Sequence, residues 1–348
     1  MPRLRRADCS SPGIGRRRAG RGFVYLDESG NRIKDRTTLE RIKSLVIPPA
    51  WESVWVCPYD NGHLQAVGID AAGRKQYLYH QDWRSRRDQE KFDRMIHFAK
   101  QLPSIRGTSE KHLRGSELSF NRVLACAVRL LDRGFFRIGM ERYSEQHDTY
   151  GVATMHKKHV RVHPDGWISF DYMAKGSKRH IRNIVDPKAC EVVDILKKRR
   201  GGSPELLAYK VAGKWMDVKS ADINSYIKKI SGEDFTAKDF RTWNATVLAA
   251  VALAVSGEAR SKTARKRAMS RAVEEVAHYL GNTPAVARSA YIDPRVFDRF
   301  RAGVTIAGAL ESVGDVMEFG ELAFQGEVEE AVMDLLTDAT SETIEKAA

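Results

Sequence analysis

The chain has 348 residues, 42% hydrophobic and 30% charged, an ordinary globular composition long enough for two domains. No apolar run approaches a membrane span, no secretory signal is visible, and Cys9, Cys57, Cys126 and Cys190 have neither CxxC pairing nor metal spacing. This excludes a disulfide framework and a zinc site and fits reduced cytoplasmic thiols. The formal net charge is +13, with −10 on residues 302–348 and +23 on residues 1–301, so the expected partner is a polyanion. Nucleic acid comes before membrane, because no basic amphipathic helix is present.

Residues 1–22 hold seven arginines among glycine, serine and proline and read as a basic flexible arm. Residues 23–85 read as a β-rich domain. The apolar runs 23–26 and 54–57 are strands, with a brief helix over 37–45. Asp60-Asn61-Gly62 predicts a tight hairpin, since Asn-Gly accepts positive φ at both central positions, and residues 64–68 return as a strand. Gly73-Arg74 leads into a last strand, where alternation sets Lys75, Tyr77 and Tyr79 on one face and Gln76, Leu78 and His80 on the other. A lysine with two tyrosines suits a sugar–phosphate backbone and base edges; a half-exposed sheet face has the same pattern.

Residues 86–301 read as mostly helical. Phe92, Met95, Ile96, Ala99 and Leu102 recur at helical spacing over 81–102, and Val123, Leu124, Ala127, Val128, Leu130 and Leu131 form a second apolar face. Arg137-Ile138-Gly139 and Tyr143 follow. Alternation over 159–163 and 167–172 makes a small β unit, whose next turn is Ala174-Lys175-Gly176-Ser177-Lys178. His156, His159 and His163 do not read as a metal site: the two on the strand share a face with Arg161, and no carboxylate or cysteine completes the set. Helical patterns fill 187–199, 219–231 and 236–255, without a dinucleotide fingerprint or P-loop. Arg241 lies near the start of the last of these. A cation there opposes the helix dipole and invites a reason, although a snorkelling arginine fits too. Arg260, Lys262, Arg265, Lys266, Arg267 and Arg271 form a run suited to tracking phosphates. Residues 302–348 read as an acidic helical tail.

Between these lies Gly281-Asn282-Thr283-Pro284. Gly281 stops one helix, Thr283 and Pro284 start another, and Asn282 sits in the turn. The spacing sets Tyr291 about two turns into the second helix. Alone, the stretch is either a helix corner with a packing tyrosine or a polar donor beside a nucleophilic phenol.

In their order, Arg137-Ile138-Gly139, Ala174-Lys175-Gly176, Lys238-Asp239-Phe240-Arg241-Thr242 and Gly281-Asn282-Thr283-Pro284 with Tyr291 resemble the catalytic motifs of poxvirus-like type IB DNA topoisomerases of the bacterial branch. Residues 73–79 resemble that family's DNA-contacting strand, and the likeness spans about residues 23–300. It implies an α+β chain, with a small β-rich domain followed by a mostly helical catalytic domain of the topoisomerase/tyrosine recombinase kind. It also implies an active site of Arg137, Lys175, Arg241, Asn282 and Tyr291 and a 3′-phosphotyrosyl intermediate. Arg74, Lys75, Gln76, Tyr77, Tyr79, Tyr143 and Lys238 are the candidate DNA contacts. The expected partner is double-stranded DNA, bound by a monomer in the cytoplasm at the nucleoid, with no membrane, metal or cofactor. Poxvirus enzymes usually have histidine where this chain has Asn282, and recombinases usually have histidine where it has Lys238. The second departure, with the β domain placed first, points to a topoisomerase over a tyrosine recombinase or integrase; a non-catalytic DNA-binding protein is the other alternative.

The chemistry can be argued from side chains. Tyrosine attack on a phosphodiester exchanges one phosphoester for another, so resealing needs no nucleotide hydrolysis. Arg137 and Arg241 offer paired donors to the non-bridging oxygens as charge builds there. Lys175, on a hairpin turn, is the candidate general acid for the leaving 5′ oxygen, and nearby arginines would help it release its proton. A free phenol has a pKa of about 10, so Tyr291 needs its oxyanion stabilised or its proton taken. Asn282 is expected to donate a neutral hydrogen bond to the phosphate.

Overall fold

The computed structural model describes residues 3–115, 117–257, 261–313, 325–337 and 345–346. The chain divides into two compact units, Met1–Asp93 and Arg94–Ala348. In the first, β1 (Ile14–Ala19), β2 (Gly22–Leu26), β3 (Glu52–Val56), β4 (Leu64–Ile69) and β5 (Lys75–Tyr79) form an antiparallel sheet in the order β2-β1-β3-β4-β5. Helix α1 (Arg36–Ser44) is capped by Asp35, which accepts the Thr38 amide at 2.7 Å. The core is small: Ile14, Val54, Val56 and Ala66 of the sheet meet Ile42 of α1.

Two expectations change in this unit. Residues 14–19 belong to the sheet instead of a flexible arm, because Ile14 is buried and the Arg16 guanidinium donates to the carbonyls of Pro48 at 3.1 Å and of Trp51. Asn61 and Gly62 do not form a positive-φ hairpin; neither has a positive φ. The glycine is required for space, since a Cβ there would lie 2.4 Å from Cys57 Sγ.

The unit boundary falls inside α2 (Gln81–Leu113). The helix runs past the expected end at residue 102 and through Pro103, which is exposed, because Ile105 and Leu113 continue the buried face. There follow α3 (Phe120–Gly134), α4 (Glu141–His147), a three-stranded sheet of β6 (Val160–Val162), β7 (Trp167–Ala174) and β8 (Lys178–Val185), and α5 (Pro187–Lys198). A hairpin of β9 (Ala208–Val211) and β10 (Lys214–Asp217) precedes α6 (Ser220–Ser231), α7 (Ala237–Val255), α8 (Lys262–Leu280), α9 (Pro284–Ala290) and α10 (Pro294–Arg301). One core joins them. α3 buries Val123, Leu124, Ala127, Leu130 and Leu131; α7 buries Phe240, Trp243, Val247 and Leu248; the sheet adds Ile168, Phe170 and Ile184. Each buried valine, leucine, isoleucine or phenylalanine among them contributes about 1.5–3 kcal/mol by leaving water. Every element that carries a predicted catalytic residue is thereby referred to one packed centre.

The chain beyond residue 301 is not a separate acidic tail. β11 (Val304–Thr305), α11 (Ala307–Val313) and α12 (Glu327–Thr337) follow, and β12 (Glu345–Lys346) pairs with β11. α12 places Val328, Ala331, Val332, Leu335 and Leu336 in the same core. Its buried Glu329 accepts from Trp243 Nε1 at 2.8 Å and from Arg106 Nη2 at 2.9 Å. Arg106 in turn makes paired bonds to Asp132 at 2.8 and 2.9 Å. Burial alone would lower the Arg106 pKa, but the two carboxylates raise it above the ordinary guanidinium value. Residues 314–324, 338–344 and 347–348 of the expected tail lie outside the described residues, as does Arg260 of the basic run.

Candidate active site

α8 runs in through the buried Val276, Ala277 and Leu280. Gly281 ends it at φ 63°, and the Asn282 amide closes on the Ala277 carbonyl at 3.0 Å. Glycine is required here twice over, because a Cβ would lie 1.9 Å from Nε2 of His180 on β8. Thr283 caps α9 by accepting the Val286 amide at 3.4 Å, with Pro284 in its first turn. The expected position of Tyr291 inside this helix is corrected. α9 is seven residues long and Tyr291 is its C-cap, bonded through its amide to Ala287 O at 3.1 Å. From α7, Thr246 Oγ1 accepts the Asp293 amide at 3.2 Å and shares its one proton between the carbonyls of Thr242 at 3.0 Å and Tyr291 at 3.3 Å, clipping the segment down.

Arg137 follows the left-handed end of α3 at Phe135 (φ 55°). Its segment is fixed by the Val152 amide on Arg137 O at 2.9 Å and the Ala153 amide on Ile138 O at 2.7 Å. Its Nη2 donates to Asn282 Oδ1 and lies 3.5 Å from the Gly281 carbonyl. Arg241, one turn into α7 and 4% exposed, donates from Nη2 to Leu280 O at 2.9 Å and from Nη1 to Phe135 O. None of these acceptors is a carboxylate. The Nε of both arginines and the Nδ2 of Asn282 are buried without a partner in the protein. Burial first, and Arg137 second, bring the Arg241 pKa down to about 10. No carboxylate balances the two guanidiniums here, which leaves the site suited to an anion.

A cleft of about 220 Å³ opens on this pair, lined by Arg137, Lys175, Arg241 and Tyr291, with Tyr143 and Lys238 beside them. Four of the five predicted catalytic side chains therefore share one surface, and Asn282 joins through its bond to Arg137. Lys175 is exposed at the β7–β8 turn, where Gly176 (φ 79°) and Ser177 (φ 54°) are left-handed, and its Nζ lies 5.7 Å from the Tyr143 ring centre. The Arg241 guanidinium stands 5.4 Å from the Tyr291 ring centre. Burial would raise the Tyr291 phenol, but Arg241, Arg137 and Lys238 outweigh it and hold the pKa below the ordinary tyrosine value. Tyr172 is the contrast. It too feels three arginines, but it is 4% exposed; burial overrides Arg182, Arg241 and Arg137 and pushes its phenol up to about 12. Electrostatics thus singles out Tyr291 as the phenol readier to ionise.

In the first unit, β5 is an edge strand, with Lys75, Tyr77 and Tyr79 exposed. The two rings stack at 6.2 Å and 15°, and Lys75 Nζ lies 5.8 Å from the Tyr77 ring centre. Gln76 is half-buried and donates to Asp70 at 2.8 Å; Arg74 pairs with the same carboxylate at 2.9 Å. That face thus presents one cation and two stacked rings, while Arg74 and Gln76 support the Asp70 turn.

Over residues 80–305 the chain matches the family model described as eukaryotic DNA topoisomerase I, catalytic core. It belongs to the type IB DNA topoisomerases. Residues 22–70 match the bacterial DNA topoisomerase IB N-terminal domain. DNA topoisomerase 1B of Acanthamoeba polyphaga mimivirus is 31% identical over 290 residues, covering 80% of this chain and 85% of its own. DNA topoisomerase 1B of vaccinia virus (strain Copenhagen) is 22% identical over 67% of this chain and 71% of its own. DNA topoisomerase 1 alpha of Arabidopsis thaliana is 23% identical over 57% of this chain, which corresponds to 20% of the longer plant protein.

This type IB topoisomerase also surrounds its cleft with residues that motif reading passes over. Thr246 is one. His180 and Arg182 alternate along the inner side of β8 and meet the end of α8. His180 is pushed down to about 4 by burial, then by Arg182, Arg137 and Arg241, so it stays neutral among cations. The available signal was the two-residue spacing after the Lys175 turn. Among the described residues no helix is long and apolar enough to cross a membrane.

Proposed function

We propose that the chain relaxes supercoiled double-stranded DNA by cutting one strand, allowing rotation and resealing, with Tyr291 as nucleophile. The observation that supports this most is the pairing of half-buried Arg137 with buried Arg241, whose protein partners are neutral oxygens and whose Nε atoms lack a protein partner, beside a phenol held below its ordinary pKa. A backbone phosphate supplies the missing anion. Tyr291 Oη attacks phosphorus and the bond to the 5′ oxygen breaks, leaving a 3′-phosphotyrosyl link. Lys175 gives a proton to the departing oxygen, and the phenol proton is lost to solvent. Arg137, Arg241 and Asn282 Nδ2 hold the non-bridging oxygens as charge accumulates. Religation runs the same steps backwards. Lys75, Tyr77 and Tyr79 are proposed to contact the DNA backbone, as are Tyr143 and Lys238 beside the cleft. The enzyme acts as a monomer, because one chain supplies every group, and works in the cytoplasm at the nucleoid.

The test is supercoiled plasmid with EDTA and no ATP. A ladder of topoisomers is the expected result. Site-dependent strand exchange would make the protein a recombinase, and neither reaction would leave a DNA-binding protein.

A further inference from the structure

The last carbonyls of a helix have no intrahelical partner and form the negative end of its dipole. At the end of α8, besides the cap amides of Gly281 and Asn282, arginines from a strand, a helix and a loop converge on them. Arg182 of β8 donates through Nη2 to His278 O at 3.1 Å and Tyr279 O at 2.6 Å. Arg241 of α7 takes Leu280 O at 2.9 Å, and Arg137 lies 3.5 Å from Gly281 O while bonding the Asn282 side chain. Two of these three line the cleft with Tyr291; Arg182 does not. Its remaining contacts are local, with Nη1 on Ile181 O at 2.7 Å and the guanidinium 5.7 Å from the Tyr279 ring centre.

We propose that Arg182 is a positioning residue for strand cleavage: it occupies the carbonyls at 278 and 279, fixes the end of α8, and so sets the aim of Arg137, Arg241 and Asn282 at the phosphate. This rests on the cleavage reading above. Without Arg182 the Tyr279 carbonyl is left open and the His278 carbonyl keeps only the Gly281 amide at 3.2 Å, beside two guanidiniums that already donate to their neighbours. Arg241 and Arg137 are then drawn along the helix end and away from the phosphate. A displacement of about 1 Å in such a site can lower a rate on the order of 10²-fold.

The experiment is single-turnover cleavage of a DNA duplex, with affinity measured alongside, for wild type, Arg182→Ala and Arg182→Lys. A second duplex carries sulfur as the 5′ bridging atom, a leaving group that needs no proton. Arg182→Ala is expected to cleave roughly 10–100-fold more slowly, with affinity within about twofold, since phosphate contacts that dominate affinity are untouched. Arg182→Lys should recover most of the rate, because one ammonium can span both carbonyls as Nη2 does. The sulfur duplex should not rescue Arg182→Ala, because the loss lies in charge stabilisation and not in protonation by Lys175. A full rate in Arg182→Ala, an equal loss of affinity, rescue by sulfur, or Arg182→Lys no better than alanine would each overturn the proposal. Should Arg182→Ala not fold, Arg182→Met, which keeps the stem and removes the donors, is judged by the same outcomes. A wild type that never cleaves would sink the cleavage reading itself and this role with it; a cleaving wild type matched by Arg182→Ala would sink the role alone.

Discussion

Arg106 and the Arg137–Arg241 pair lie in the same unit, and all three donate to buried oxygens. Arg106 is clamped between two carboxylates, Asp132 and Glu329, and its charge is balanced within the fold. Arg137 and Arg241 meet carbonyls and one amide oxygen, stand against each other, and keep a donor open on each Nε. The first arrangement is complete without a ligand. The second is not, and burying cations without their counter-charge is costly. The difference separates an arginine whose charge the fold balances from a pair whose charge it does not.

The largest test of this comparison removes the nucleophile beside the open pair. Tyr291→Phe should abolish covalent adducts trapped by denaturation and leave DNA binding in place, since phosphate contacts dominate affinity. An adduct that persists would move the nucleophile elsewhere. Next, the two kinds of arginine should fail in opposite ways. Arg241→Ala should lose at least about 10²–10³ in cleavage rate, with a melting temperature that holds or rises because an unbalanced buried cation is gone. Arg106→Ala should lose about 3–5 kcal/mol of stability by stranding two buried carboxylates, while the folded fraction cleaves at the wild-type rate. Thermal melts and single-turnover rates on both variants would break the comparison if the losses were reversed.

Smaller effects sharpen it. Asn282→Ala should cost on the order of 10²-fold in cleavage with little change in binding, and Asn282→His should keep much of the activity, since an imidazole N–H can reach the same oxygen. A wild-type rate in Asn282→Ala would leave Asn282 as a turn residue only. The smallest effect is on pH. Arg241, Arg137 and Lys238 hold the phenol below its ordinary value, so wild-type cleavage should rise with pH and level off below the range of free tyrosine. Lys238→Ala removes one of those cations, so the midpoint should move upward. A pH–rate profile displaced downward would mean that Lys238 does not act on the phenol.

How much of this was legible in sequence follows from how local each feature is. Gly281 and Thr283-Pro284 declare a helix end and a helix start through backbone chemistry alone, and both stand where they were read. The two-residue period exposed the faces of β5 and the hairpin that carries Lys175. Asn61-Gly62 misled, because its glycine answers to the Cys57 sulfur and not to a φ requirement. Residues 14–19 looked unstructured by composition, yet one buried isoleucine and one arginine with carbonyl partners suffice to add a strand. Glu329 sits 223 residues from Arg106 and looked like one more acid in an acidic stretch; no local period could mark it as the core's counter-charge. The spacing of His180 and Arg182 was visible but not its use, since Arg182 bonds carbonyls and His180 meets Gly281 at the end of a distant helix.

The pairing of α12 with α7 has a consequence for synthesis. Translation delivers Arg137, Lys175, Arg241, Asn282 and Tyr291 before Glu329. Until α12 emerges, the Trp243 indole and the Arg106 guanidinium lack the carboxylate that holds them. A nascent or prematurely terminated chain can therefore carry every predicted catalytic residue without the closed core that orders them. Competence to cut a strand would then follow the synthesis of α12, whose Glu329 closes that core.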